Sequence, residues 1–144
     1  MDAPPRARDG INELLIKIMQ FTQARRKIII QNINNVHSPA FVPKDLTVRE
    51  LGRLLNDTLT EYTRTRRLLF RDTCNIKFGP GGAFSASAQT DEHAKRLLET
   101  DPGGYLELQI DKLIENGLNQ RLASEILRQR EGLMYVQTEA NRTC

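Results

Sequence analysis

The stretch RRKIIIQNINNVHSPAFVPKD, residues 25–45, decides how the rest of the chain is read. It opens as an apolar helix face and closes as an extended, proline-punctuated strap, with the asparagine-rich joint Asn32–Asn35 between them. Upstream of it, Ile11, Leu14, Leu15, Ile18, Phe21, Arg25, Ile28, Ile29, Asn32 and Ile33 recur at three- and four-residue steps. That is close to the 3.5-residue period of helices that wrap around one another. Arg25 and Asn32 are the polar interruptions of this stripe. The pattern predicts a helix over 11–37. Ser38-Pro39 stops it, because the residue before a proline is pushed out of the helical region, and Pro43 keeps the following residues extended.

Downstream, Thr47 and Glu50 have the spacing of a capping box. Leu51, Leu54, Leu55, Leu59 and Tyr62 follow on one apolar face, which places a second helix from there to residue 72. GPGGAFSASA, 79–88, reads as a flexible connection, since Gly and Pro break regular elements. TDEHAKRLLET, 90–100, reads as one short helical stretch, and DPGG, 101–104, as a second breaker. The longest clean pattern runs from 105 to 138. Leu106, Ile110, Leu113, Ile114, Gly117, Leu118, Leu122, Ile126, Leu127, Leu133 and Met134 make a broad helical stripe. Gly117 is read as a small residue that lets another helix approach, at about 1 kcal/mol of helix propensity. The expected fold is therefore all-α. Two long terminal helices, 11–37 and 105–138, form an antiparallel coiled-coil-like pair, with a helical, loop-rich segment, 38–104, between them. Residues 1–10, rich in Pro, Arg and Asp, read as a disordered tail, and 139–144 as a second tail.

At 144 residues, 39% of them apolar and none of them Trp, the chain is not expected to build one large core. The net charge of +3 does not by itself call for a nucleic-acid partner. Arg64, Arg66, Arg67 and Arg71 form the densest basic cluster. It reads either as a contact for nucleic acid or an acidic partner or, with more weight, as a solvated helix face. No aromatic interleaving supports base stacking. His37 and His93 lack neighbours at metal-ligand spacing, and Cys74 and Cys144 lie too far apart in sequence for a zinc motif. GPGG lacks the Lys-Ser/Thr of a phosphate loop. No enzyme, cofactor, metal site or small-molecule substrate is expected. The N-terminus has no apolar signal-peptide core, and no run approaches the roughly 18 apolar residues of a membrane span.

NINNVHSPAF, 32–41, resembles the signature that flagellar rod and hook proteins carry at the end of their first helix. Asn32, Ile33 and Asn35 hold its asparagine–isoleucine–asparagine positions. Ser38 stands for its Thr, Pro39 matches, and Phe41 stands for its Tyr, while Ala40 replaces its Gly. Thr90–His93 and the run Glu107, Leu113, Glu115, Asn116, Leu118, Ala123, Glu125 are similar to the last part of proximal rod members of that family. The resemblance covers 11–46 and 90–135 and leaves 47–89 uncovered. It implies a structural subunit of the bacterial flagellar basal body, exported from the cytoplasm without a cleaved signal. The implied partners are copies of itself, other rod subunits, a rod-base adaptor, the export gate and the membrane ring of the motor. The assembly interface it suggests comprises Leu14, Ile18, Phe21, Ile28, Asn32, Ile33, Asn35, Pro39 and Phe41 from the N-terminal part. Ile110, Leu113, Ile114, Gly117, Leu118, Leu122 and Ile126 complete it. Two other readings stay open: a small helical nucleic-acid-binding protein using the Arg64–Arg71 cluster, and a helical adaptor or export chaperone.

Overall fold

The computed structural model describes the backbone of residues 10–142 and the side chains of residues 10–132. Of the expected N-terminal tail, residues 1–9 lie outside the described residues, while 139–142 of the expected C-terminal tail belong to the last helix. In chain order the elements are α1 (Gly10–Asn34), β1 (Lys44–Asp45), α2 (Val48–Thr65), β2 (Ile76–Phe78), β3 (Phe84–Ala86), β4 (Gln89–Thr90), α3 (Glu92–Thr100) and α4 (Pro102–Arg142). The architecture is mainly helical with a few short strands.

α1 ends at Asn34, three residues before the predicted stop, and the chain runs through turns from there to Pro39. Asn35 Nδ2 donates to the Gln31 carbonyl at 2.9 Å and Ser38 Oγ donates to Asn35 Oδ1 at 3.2 Å. Such local bonds give the backbone an alternative to the helical ladder. Ala40 then takes φ 60°, a left-handed conformation that glycine adopts more readily. The strap that follows is a strand: Lys44 and Asp45 pair antiparallel with Thr90 and Gln89.

α2 stops at Thr65, not 72. Arg66 adopts φ 61° and its N–H bonds the Tyr62 carbonyl at 2.7 Å, a left-handed helix cap on a residue other than Gly. The capping box does not form: Thr47 makes no side-chain bond to the helix start. Glu50 turns its carboxylate to Thr73 Oγ1 and to the backbone and side-chain amides of Asn75. The predicted flexible connection is in fact a hairpin, with Ile76, Lys77 and Phe78 opposite Ala86, Ser85 and Phe84. Gly81 and Gly82 supply the positive φ its turn needs, 68° and 81°. The breaker at 101–104 is the start of α4. Asp101 Oδ1 accepts from the Gly104 N–H at 3.0 Å and Pro102 takes the first helical position. α4 extends to Arg142, past the expected end at 138, and its 41 residues span about 61 Å.

A second correction concerns the core. The buried cluster is Phe21, Leu46, Leu51, Leu54 and Ile76, so it sits where α1 meets the middle segment. Phe84 stands edge-on to Phe21 at 6.5 Å and to Phe78 at 5.9 Å, and Phe70 lies 5.2 Å from Phe78. Lys17, nearly buried, runs its stem beside this aromatic group and donates from Nζ to the Gly82 carbonyl at 2.9 Å. The hairpin is thereby tied to α1. On another side of α1 lies α4, running antiparallel: Asn12, Thr22 and Asn32 bond Arg130, Asn116 and Gln109 in turn.

Candidate assembly surface

The contact between α1 and α4 is rich in hydrogen-bonding residues, with the buried Leu15 of α1 and Ala123 of α4 beside them. Tyr105, Gln109, Lys112, Asn116, Ala123 and Arg130 turn towards α1, at steps of three, four and seven residues. That is the 3.5-residue spacing of a coiled-coil seam, written mostly in hydrogen-bonding residues. Asn32 is its hub. Its Nδ2 donates to the Lys44 carbonyl at 2.8 Å and to Gln109 Oε1 at 2.9 Å, and its Oδ1 accepts from the Lys44 N–H at 3.2 Å. The side-chain amide thus pairs with both backbone groups of Lys44, as a neighbouring strand would. The Asn32 carbonyl accepts from the Tyr105 hydroxyl at 2.8 Å. Further along, Asn116 Nδ2 donates to the Thr22 carbonyl at 2.7 Å and Arg130 Nε to Asn12 Oδ1 at 2.7 Å. Burial pushes the Tyr105 phenol up to about 12, and the charge of Asp91 adds to the rise.

An ion cluster fastens the strap to both helices. Arg25 grips Asp45 with two bonds, 2.8 and 2.9 Å, and Lys112 Nζ reaches Asp45 at 2.8 Å and Asp91 at 2.6 Å. Burial alone would raise both carboxyls. Donation from Arg25 and Lys112 outweighs it at Asp45, and donation from Lys112 and the Ala94 N–H does so at Asp91, so both lie below the ordinary value. For Lys112 burial pulls down, and the two carboxylates more than compensate, leaving it raised. Asp91 also caps α3 through its bond to Ala94 N–H at 3.1 Å. The sequence reading singled out Arg25 only as an interruption, took Asp45 only as part of the charged step after the asparagine joint, and passed over Lys112. The signal available was a charged residue on an apolar stripe, which in a folded chain calls for a partner.

A second line of apolar residues on α4 is exposed. Ile110, Ile114, Leu118, Leu122 and Ile126, each four residues on from the last, are between 37% and 60% exposed. A four-residue step advances about 40° around a helix of 3.6 residues per turn, so this ridge winds across the outer face instead of staying over α1. The expected pairing of the terminal helices therefore does not run through Ile110, Ile114 and Leu118, whereas Leu122 and Ile126 reach Leu15 and Ile18 of α1. Gly117 likewise has no atom within 4 Å of an added Cβ, so no helix of this chain approaches it closely. At its far end the ridge borders an apolar groove of about 250 Å³, where Leu122 and Ile126 meet Leu15 and Ile18 of α1 and Val48 and Leu51 of α2.

Of the remaining candidate residues, Leu14, Phe21 and Asn32 are buried within the chain. Ile28, Ile33, Asn35, Phe41 and Leu113 are half-buried, and Pro39 is exposed. In the basic cluster, Arg64 is paired with Glu61 by two bonds of 2.9 Å and Arg66 lies 5.8 Å from the Tyr62 ring centre. Arg67 and Arg71 are exposed. Among the described residues no group of His, Cys, Asp and Glu could hold a metal ion, and no helix is long and apolar enough to cross a membrane. No family model, curated protein or solved structure matches the chain.

Proposed function

We propose that this chain is a structural subunit of the proximal rod of the bacterial flagellar basal body, a protein of the FlgB kind. The reading begins from the resemblance at residues 32–41. The observation that carries it is the arrangement of α4: its polar residues face α1 and its apolar ridge faces outward. A monomer gains by hiding such a ridge, since fully burying an Ile or Leu side chain is worth about 1.5–3 kcal/mol. Hydrogen bonds fix α1 to α4, which leaves the apolar face for neighbouring subunits. In this reading α1 and α4 act as one antiparallel, coiled-coil-like strut. Struts stack around an axis through heterologous contacts that do not close, as a helical shaft requires. The partners are further rod subunits, with the rod-base adaptor, export gate and membrane ring at the lower end. In this reading the subunit reaches them by flagellar export.

The test is genetic. Deletion of the gene is expected to abolish swimming, and a plasmid copy to restore it. A plasmid copy carrying Leu118→Asp is expected to make a folded, exported protein that does not restore swimming. Normal motility in the deletion strain would overturn the reading.

A further inference from the structure

We infer that the partner covering the α4 ridge is a second copy of this chain docked head to tail, with Ile110, Ile114 and Leu118 of one copy seated in the groove beside Leu15, Ile18 and Val48 of the next. This rests on the assembly reading above and names the partner of that surface. Ridge and groove are different patches on one molecule, so each copy offers one of each. Such a contact repeats without closing.

Charge favours this pairing over the alternatives. Glu107, Asp111 and Glu115 form a second four-residue line beside the ridge, all exposed, with Glu115 at 4.0 Å from Arg25. On α2 the exposed Arg49 and Arg53, also four residues apart, lie on the helix that supplies Val48 and Leu51 to the groove. Acidic and apolar lines on one copy therefore match basic and apolar lines on the next. A two-fold contact of ridge on ridge, centred on Ile114, would bring Asp111 and Glu115 close to the same pair on the other copy, and like charges so placed repel. Helical glycines supply clearance on both sides. Neither Gly52 on α2 nor Gly117 on α4 has an atom within 4 Å of an added Cβ. The four-residue spacing also sets the crossing. Ridges of that kind interdigitate at about −50°, whereas coiled-coil packing crosses at about +20°. The next copy therefore crosses α4 obliquely and does not extend the α1–α4 seam.

The experiment uses the full chain and two variants at exposed positions, Ile114→Asp on the ridge and Val48→Asp at the groove, with unchanged helical content confirmed by circular dichroism. Sedimentation velocity of the unmodified chain is expected to show species growing past dimer with concentration. Each variant alone is expected to stay monomeric. Mixed one to one, they are expected to give a complex of twice the monomer mass and nothing larger, because one intact ridge and one intact groove remain. The charge-reversed variants, Glu107→Lys with Asp111→Lys and Arg49→Glu with Arg53→Glu, are expected to associate together and not singly. Association of Val48→Asp alone to the extent of the unmodified chain, or a mixture that stays monomeric, overturns the inference. An unmodified chain that stays monomeric up to millimolar concentration, in a protein whose deletion abolishes swimming, overturns the contact and leaves the rod reading standing. Complementation between the variants in a strain that swims without the gene does the reverse.

Discussion

Asn32 shows how much one side chain can organise. Its amide replaces a strand partner for Lys44, holds Gln109 of α4, and stands at less than 2% exposure with its own carbonyl bonded to Tyr105. Ala at this position would leave the Lys44 N–H and carbonyl and the Gln109 carbonyl without these partners. Each buried orphan costs about 1–3 kcal/mol. Asn32→Ala is therefore expected to lose about 3 kcal/mol or more, read as a lower urea midpoint at an unchanged slope. Leu at the same place removes the same bonds and adds bulk, so the apolar character of the surrounding stripe does not rescue it. The polar interruption was visible in the sequence. What it bonds was not, because Lys44 and Gln109 reach it only through the strap and the fold-back of α4.

Elements were legible in proportion to their length. α1 and α4 follow from periodicity, and the existence of α2 and α3 from shorter versions of it. Their boundaries were less so. Asp101-Pro102 carries the start signal of a helix, a capping carboxylate followed by proline at the first turn, yet the adjoining glycines make it look like a break. At Gly104 an added Cβ would meet Asp101 Oδ2, so a larger residue there would push the capping carboxylate aside. Asp101→Ala is expected to lower stability by about 1 kcal/mol, the usual worth of such a cap, with amide exchange accelerated first in residues 102–106. The hairpin of β2 and β3 was unreadable for a different reason. Strands of three residues are too short to display alternation, and their apolar members, Ile76, Phe78 and Phe84, gain meaning only from Phe21 and Phe70 beside them. Arg66 gave no warning at all, since the left-handed cap of α2 is ordinarily a glycine's place.

At the scale of the whole molecule, strap, α1, α3 and α4 meet in one ion cluster, and the pH dependence of folding follows from it. Asp45 and Asp91 have folded pKa values below the ordinary 3.8. Their contribution is complete above that value and is lost as pH falls through the lower folded values. Lys112 is raised above 10.5 and Tyr105 from 10.0 to about 12. Their contribution is complete below the unfolded values and is lost as pH climbs through the folded ones. Thermal midpoints are thus expected to be flat between about pH 5 and 9 and to decline on both sides. Tyr105→Phe should lower the plateau and soften the alkaline decline. A midpoint still rising from pH 10 to 12 would contradict the assignment. Sequence reasoning paired the terminal helices through their apolar stripes and expected no one large core. Here the middle segment takes that place on α1, and α4 is held by polar groups instead. That choice has a mechanical consequence. Grease between two rods permits sliding, but Asn12, Thr22 and Asn32 each meet a specific donor or acceptor on α4, like teeth in a keyway. Displacing α4 by a single turn, about 5.4 Å, would unseat all of them together, so the pair resists shear along its length even where its oily side is bare.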